Sequence, residues 1–399
     1  MKGWKIVKFG ELIEKKTSLS LKKGETYCHI PMENVVERFR TPLKVNSKIF
    51  NGSGSKFKNS DTLFARITPC LQNGKIAYAP NMSRGIGFGS TEFFVFRAKP
   101  SLTDSKYIYY LSKLKDLKKT AELSMTGASG RQRADINAIL EFEVQVPEDI
   151  NEHKHISSVL SSYDDLIETN QKRIKILEEM VRRLYAEWFV KYKFPGHEGV
   201  KMIASGTDFD EIPEEWTVKK LCEFADLIMG QSPKSEFYNQ VGTGLAFHQG
   251  VKDFNGLFPT NKVYSSKGTR FAEDGDLLFS VRAPVGKMNI STEKIVIGRG
   301  LSAIRHKEGL QAFLITSFFH RFTEEDMLGN GAIYKSINKE ELRNIRFVYP
   351  TSVLALRFND IAINYFDEIS ILSMSINKLI VMRDLLVENL TTGKRLLKN

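Results

Sequence analysis

The chain has 399 residues, enough for two or three domains, and its 42% hydrophobic and 26% charged content is that of a globular protein. No apolar run approaches the ~20 residues that span a bilayer. The first residues, MKGWKIVKFGELIEKK, lack the apolar core of a signal peptide, so a cytoplasmic protein without a membrane partner is expected. The formal net charge of +11 suits a polyanionic partner without specifying one.

The charge is unevenly placed. Residues 1–150 carry 25 Lys and Arg against 15 Asp and Glu, and residues 216–350 carry 18 against 14. Between them, residues 151–215 carry 9 against 13. Two basic blocks therefore flank an acidic middle, a pattern that suits two contacts with one polyanion. Cys28, Cys70 and Cys222 are far apart in sequence and suggest neither a disulfide framework nor a zinc site.

In chain order, residues 1–150 read as a first β-rich α/β domain. Strands are expected at Ile76–Tyr78, Phe93–Arg97 and Phe142–Val146, with a helix over Ser105–Ala121. Residues 151–194 read as a central helix. Its seam is Ile156, Leu160, Tyr163, Ile167, Asn170, Ile174, Leu177, Val181, Leu184 and Trp188, in alternating steps of four and three. A polar, turn-rich linker opens the next block, 195–350. Strands are expected there at Asp276–Val281, Lys294–Ile297 and Ile345–Val348, and a helix over Leu310–Thr323. Residues 351–399 supply a distal helix with the seam Phe358, Ala362, Tyr365, Ile369, Leu372, Ile376, Leu379, Arg383, Leu386 and Leu390.

The second half repeats the first. Trp4-Lys5-Ile6-Val7-Lys8 resembles Trp216-Thr217-Val218-Lys219-Lys220, and DTLFARITP (61–69) resembles DLLFSVRAP (276–284). GFGSTEFFVFR (87–97) is followed in the second half by GRGLSAIRH (298–306), and Ile136-Asn137 matches Ile337-Asn338. The two helical seams superpose at an offset of 202, Ile167 on Ile369, Ile174 on Ile376, Leu177 on Leu379 and Leu184 on Leu386. Such apolar seams need burial, and antiparallel packing of the helices on each other is the economical solution. About 40 residues at 1.5 Å each give a rod of roughly 60 Å. Asn170 and Arg383 interrupt the seam; they either fix register or splay the pair.

Site signatures for catalysis are missing from the sequence. There is no Pro-Pro dipeptide for an adenine methyltransferase motif, no GxGxxG loop, no Walker A motif and no Gly-x-Ser-x-Gly elbow. His153 and His155 sit two apart at a helix start, a poor metal pair, and read as solvated. A non-catalytic binding protein without a cofactor or metal of its own is expected. The residues with the best chemistry for a nucleic acid are in one loop, Gly127-Ala128-Ser129-Gly130-Arg131-Gln132-Arg133. Glycine allows close backbone approach, arginine can fork onto guanine and glutamine onto adenine. Asn330 and Lys335 occupy the matching loop of the second half, and Lys75, Arg84, Arg282, Lys287 and Arg299 are further candidates.

These features resemble the specificity (S) subunits of Type I restriction–modification enzymes. The segment SSYDDLIETNQKRIKILEEMVRRLYAEWFVKYKFPG (161–196) is similar to that family's central helical region, and LLVENLTTGK (385–394) to its distal one. Domain starts of the form W-x-x-x-x-L/F-x-E/D, at Trp4 and Trp216, also fit. The resemblance implies an α/β fold of two β-rich target recognition domains separated by two long antiparallel coiled-coil helices, with an internal pseudo-two-fold repeat. Each domain would read half of a bipartite site on double-stranded DNA, and the helices would set the spacing. It also implies two methyltransferase (M) subunits, which bring S-adenosylmethionine, and two restriction (R) subunits, which bring ATP and Mg. The competing class is a coiled-coil scaffold for protein partners; it gives no reason for basic excess in both globular blocks.

Overall fold

The computed structural model describes residues 3–14, 19–128, 130–322 and 336–394. The chain divides into two compact units, Met1–Lys172 with Ser373–Asn399, and Arg173–Leu372. The central helix, Ile150–Tyr185, gives its first part to the first unit and its last part to the second, and the distal helix, Ser352–Leu390, does the reverse.

In the first unit Trp4–Lys8 pairs antiparallel with Glu143–Pro147. A three-stranded sheet has the order Ile76–Tyr78, Thr62–Ala65, Phe93–Phe96. A four-stranded sheet has the order Asn46–Ile49, Thr26–Ile30, Ile86–Gly89, Ser55–Lys58, with its middle pair parallel. The second unit repeats this plan. Thr217–Lys220 pairs with Arg346–Tyr349. Leu277–Ser280 lies between Met288–Ile290 and Leu301–His306, and Leu245–His248 runs parallel to Ile295–Ile297. Thr62–Ala65 and Leu277–Ser280 are buried along their whole length, as uninterrupted short apolar runs in a covered sheet should be.

The expected helix over Ser105–Ala121 is two helices, Ser105–Ser112 and Lys115–Leu123. The match of Ile136-Asn137 to Ile337-Asn338 is displaced. Asp135 caps the helix Ile136–Leu140 and Asn338 caps Lys339–Arg343. Ala134 N–H donates to the Arg66 carbonyl and Ile337 N–H to that of Val281, so the repeat offset here is 203. N-cap chemistry, rather than residue identity, carries the equivalence.

Within each unit the two long helices run antiparallel. In the first, Asp164 meets Arg383 and the amide of Asn170 donates to Ser375 Oγ at 3.4 Å. In the second, Arg173 pairs with Glu368 at 2.7 Å. Neither stretch packs only on its partner. Ile156, Leu160, Val387 and Leu390 share one core with Phe9, Phe96 and Tyr107. Val181, Tyr185, Phe358 and Ile369 share another with Phe313 and Trp216. The side chain of Asn359 accepts from Ala312 and Phe313 N–H, capping the helix Gln311–Arg321. Its repeat mate, Ser157, donates to Asp104, the cap of Ser105–Ser112.

The seam departs from strict heptads. Ile167, Asn170, Ile369 and Ile376 are buried, whereas Ile174, Leu177, Leu184, Leu379 and Leu386 are half-buried. Ile380 and Val387 take the buried places beside Leu379 and Leu386. A straight helix of 3.6 residues per turn drifts from a 3.5-residue stripe, and the domain packs on the face so exposed. Where the central helix ends, a π-helical turn over Ala186–Val190 buries the consecutive Trp188 and Phe189.

Two buried histidines were hidden from the sequence. His153, expected to be solvated, is buried against Tyr107 at 4.2 Å, with its ring nitrogens on Thr103 Oγ1 and the Pro147 carbonyl. His306 Nδ1 accepts from Glu308 N–H, so Nε2 carries the proton towards Tyr349 Oη at 3.0 Å. Burial, with Lys219 nearby, lowers its pKa to about 4. The unfolded imidazole titrates near 6.5, so between these values the unfolded chain binds the extra proton. Stability from this group is complete above pH ~6.5 and falls towards pH 4, by about 2–3 kcal/mol. His153 is shifted the same way. Urea unfolding at pH 7.5, 6 and 5 should therefore show falling stability, and His306→Gln should flatten part of that slope; an unchanged slope refutes the assignment.

Candidate nucleic-acid interface

The repeated strand Thr62–Ala65, with its mate Leu277–Ser280, positions the candidate loops. Each strand is preceded by a buried aspartate clamped by an arginine at the end of the strand hydrogen-bonded beside it. Asp61 accepts from Arg97 Nε and Nη2 at 2.9 and 2.7 Å and from Lys58 N–H at 2.8 Å. Asp276 accepts from Arg305 Nε and Nη2 at 2.7 and 2.8 Å and from Glu273 N–H at 2.8 Å. Forked pairs of this kind fix direction as well as distance. Each strand then leaves through a cis-proline loop, at Thr68-Pro69 and Ala283-Pro284.

In the first unit the glycine-bearing loop closes over that exit. Thr126 and Arg133 exchange backbone hydrogen bonds at 3.0 and 2.9 Å. Thr68 N–H donates to the Gln132 carbonyl at 3.0 Å, and Gln132 N–H to Thr68 Oγ1 at 3.1 Å. Gly127 and Gly130 adopt φ of +121° and +80°, which side chains rarely take. Arg131 is exposed, and its side chain has no charged partner among the described residues. Gln132 is half-buried. Arg133 is held by Glu92 through three contacts of 2.7–3.2 Å, and Arg66 reaches the same carboxylate at 3.1 Å. The Arg133 bond, with Arg66, holds the Glu92 carboxyl below its usual range. Ser129 lies outside the described residues.

Two candidates are occupied internally. Lys75 Nζ donates to the Met32 carbonyl at 2.9 Å. Arg84 pairs with Glu25 at 2.7 Å and covers the Tyr27 ring at 5.1 Å. A partner would have to displace these contacts, as it would the Arg133–Glu92 pair.

In the second unit Val281 N–H donates to the Gly300 carbonyl, as Arg66 N–H does to that of Glu92. Gly300 therefore stands where the first unit has its acid. A Cβ there would lie 2.5 Å from the Gln249 carbonyl oxygen, so no side chain fits. Arg282 and Arg299 flank this glycine in space, both exposed and without a charged side-chain partner among the described residues. Arg299 N–H donates to Ser232 Oγ, and Gln231 Oε1 accepts from Thr269 Oγ1 at 3.3 Å. Beyond them opens a groove of about 680 Å³ lined by Gln231, Ser232, Lys234, Phe237, Lys267 and Thr269. Lys267 lies over the Phe237 ring at 4.5 Å. Sequence inspection missed this basic, amide-bearing surface because three separated segments build it. Lys287 is half-buried, and its N–H donates to Ser280 Oγ at 3.0 Å. Asn330 and Lys335 lie outside the described residues.

Among the described residues no cluster of three His, Cys, Asp or Glu side chains could hold a metal ion, and no helix is long and apolar enough to cross a membrane.

A family model described as the Type I restriction modification DNA specificity domain matches residues 1–179 and again 213–352. A putative type I restriction enzyme MjaX specificity subunit of Methanocaldococcus jannaschii is 31% identical over 295 residues, covering 73% of this chain and 68% of that protein. The MjaVIII specificity subunit of the same organism is 26% identical, covering 66% and 64%. A crystal structure of the Type-I restriction-modification system S subunit from M. genitalium shares the fold, with a TM-score of 0.57, 16% identity and coverage of 97% and 96%.

The Asp–Arg clamps make a stability prediction. Arg97→Leu strands the Asp61 carboxylate, which is 1% exposed, and should cost about 3–5 kcal/mol in urea unfolding. The double change Arg97→Leu with Asp61→Leu should recover much of this. Arg305→Leu strands an equally buried Asp276 but from behind an arginine side chain that is 44% exposed, where water can take its place, and should cost less. Equal losses at the two sites would show that burial does not govern the clamp.

Proposed function

Because the chain belongs to the family of Type I restriction–modification DNA specificity subunits, we propose that residues 1–150 and 195–350 are target recognition domains, each reading one half of a bipartite site on double-stranded DNA. Specificity subunits recognise DNA and leave the chemistry to their partners. In the proposed assembly the helical segments 151–194 and 351–399 set the distance between half-sites and dock two methyltransferase subunits. S-adenosylmethionine belongs to those partners. ATP and Mg belong to two restriction subunits where these complete a nuclease.

The single observation that carries this reading is the duplicated strand exit, with exposed arginines on the same buried frame in both units. In the first domain Arg131, Gln132 and Arg133 are the proposed contacts. In the second they are Arg282 and Arg299, with Lys234 and Lys267 along the groove. A guanidinium can fork onto guanine or bind a phosphate, and the two roles separate by experiment. Arg131→Ala and Arg299→Ala, each assayed in the complex with methyltransferase subunits, should weaken DNA binding by about 1–3 kcal/mol. A base contact relaxes specificity in one half-site only. A phosphate contact lowers the salt dependence by about one unit of slope without changing the site. Unchanged affinity, slope and site in both variants would remove these loops from the interface.

The spacer role predicts a length effect. Seven residues inserted at matched positions of both helices add about 10 Å, or about three base pairs of duplex at ~3.4 Å per step. Sequencing of methylated sites should show two unchanged half-sites with a longer gap. Altered half-sites with an unchanged gap would contradict it.

A further inference from the structure

We propose that the buried Asp164–Arg383 pair is a pairing key: it makes the central helix take the distal helix of its own chain in preference to the central helix of a second copy.

Arg383 is the largest fully buried side chain among the described residues, with 0% exposure, and Asp164 is 1% exposed. Nη1 donates to Asp164 Oδ1 at 2.6 Å and to the Arg38 carbonyl at 3.1 Å. Nε and Nη2 donate to Asp384 at 3.0 and 2.8 Å. The other oxygen of Asp164 accepts from Tyr110 Oη at 2.6 Å. Every nitrogen of the guanidinium therefore has an acceptor.

The repeat removes this chemistry from the other unit. At the helical offset of 202, the mate of Asp164 is Phe366 and the mate of Arg383 is Val181. Both are buried in the core of the second unit. The remaining polar contacts between the helices are equally one-sided. Asn170 and Ser375 have the mates Leu372 and Arg173, and Glu368 has the mate Leu166.

The middle of the apolar seam discriminates poorly between partners. Ile167, Ile174, Leu177 and Leu184 have identical mates in Ile369, Ile376, Leu379 and Leu386. By pattern alone the central helix would pair antiparallel with a second central helix as well as with the distal one. In that self-pair each Asp164 would face a Val181, and in a pair of distal helices each Arg383 would face a Phe366. The central-helix pair buries two carboxylates with no counter-charge facing them, and the distal pair leaves each Arg383 only the exposed Asp384 of its own helix; both outcomes are unfavourable. The native pairing satisfies both groups at once. Selection against the wrong partner thus comes from what the wrong partner leaves unpaired.

The consequence for DNA rests on the proposed function. A chain paired within itself presents two different domains and reads two different half-sites. A swapped dimer would set two copies of one domain against each other, and its site would be a repeat of one half.

The test uses the full chain. Asp164→Phe with Arg383→Val gives both helices the same buried layer and removes the charge that separates the two pairings. Asp164→Asn with Arg383→Met removes the charge at nearly constant volume, in case the bulkier pair does not fold. A Gln171→Cys reporter is placed in all chains. The contacts of Asp164 and Asn170 put the half-buried residue 171, next to Asn170, near the middle of a central-helix self-pair. Light scattering should find the reporter chain monomeric and the double variants increasingly dimeric with concentration. Disulfide-linked dimer under oxidation should rise about tenfold or more over the reporter alone. Folded double variants that stay monomeric without the cross-link would overturn the proposal. So would a reporter chain that cross-links as readily as they do. Failure of both double variants to fold would assign the pair to structure alone and reject the key. No DNA enters these measurements. If swapped dimers form but methylated sites in cells do not acquire repeated halves, the pairing stands and the DNA reading fails.

Discussion

The first globular core is closed by the far end of the chain. Gly393, just past the distal helix, lies so close to the Trp4 ring that a Cβ would sit 3.2 Å from it. Two residues earlier the Thr391 carbonyl accepts from the buried Tyr107 Oη at 3.0 Å. The second unit has the matching closure, with Trp216 packed on Phe189 and Phe194 from the end of the central helix. Each globular region is thus completed by the helix that precedes it in a cyclic sense, although for the first region that helix is last in sequence. The long helices are therefore core elements of both units before they are anything else. Their register within each unit cannot change without moving side chains such as Asn359 and Ser157, which hold the first turn of a domain helix.

Periodicity and repetition carried most of this architecture into the sequence. The long helices start next to their expected limits, because nothing between Ile150 and Tyr185 or between Ser352 and Leu390 breaks a helix, while the central one passes into a π turn and ends at Val190, short of 194. The paired strands Thr62–Ala65 and Leu277–Ser280 announced themselves as a shared apolar word at a constant offset. What periodicity could not carry was the second layer of packing. A heptad stripe predicts contact with one helix; here each helix also meets a domain, so Ile380 and Val387 turn inward beside half-buried Leu379 and Leu386. His153 was misread for the same reason. Its acceptor and its stacking ring, Pro147 and Tyr107, come from outside its helix.

The candidate interface was legible by composition and illegible by pairing. A glycine–arginine loop marks itself, and its place over the exit of the strand follows from backbone bonds to Arg66 and Thr68. Whether a cation is available depends on what lies across space. Glu92 holds Arg133 from 41 positions away, Met32 occupies Lys75, and Glu25 occupies Arg84. Conversely, the groove beside Arg299 combines residues near 231, 234 and 267, none of which forms a motif alone.

The frame and the loops solve different problems. A buried carboxylate pinned by a forked arginine tolerates little variation, since loss of either partner leaves a charge in a dry core. That rigidity suits the strand ends, where both units use the same clamp. The loops beyond it need no such agreement. At one equivalent position the first unit holds two arginines with Glu92, while the second has Gly300, where a neighbouring carbonyl excludes any side chain, and among the described residues no acid pairs with Arg282 or Arg299. Two candidate surfaces built on the same kind of frame can then differ in charge and shape without disturbing the long helices. Helices so alike in the middle of their seams record only weakly by their apolar faces which surface belongs with which. The polar layers that break the repeat supply that distinction, and the cost of misplacing a buried charge makes it specific.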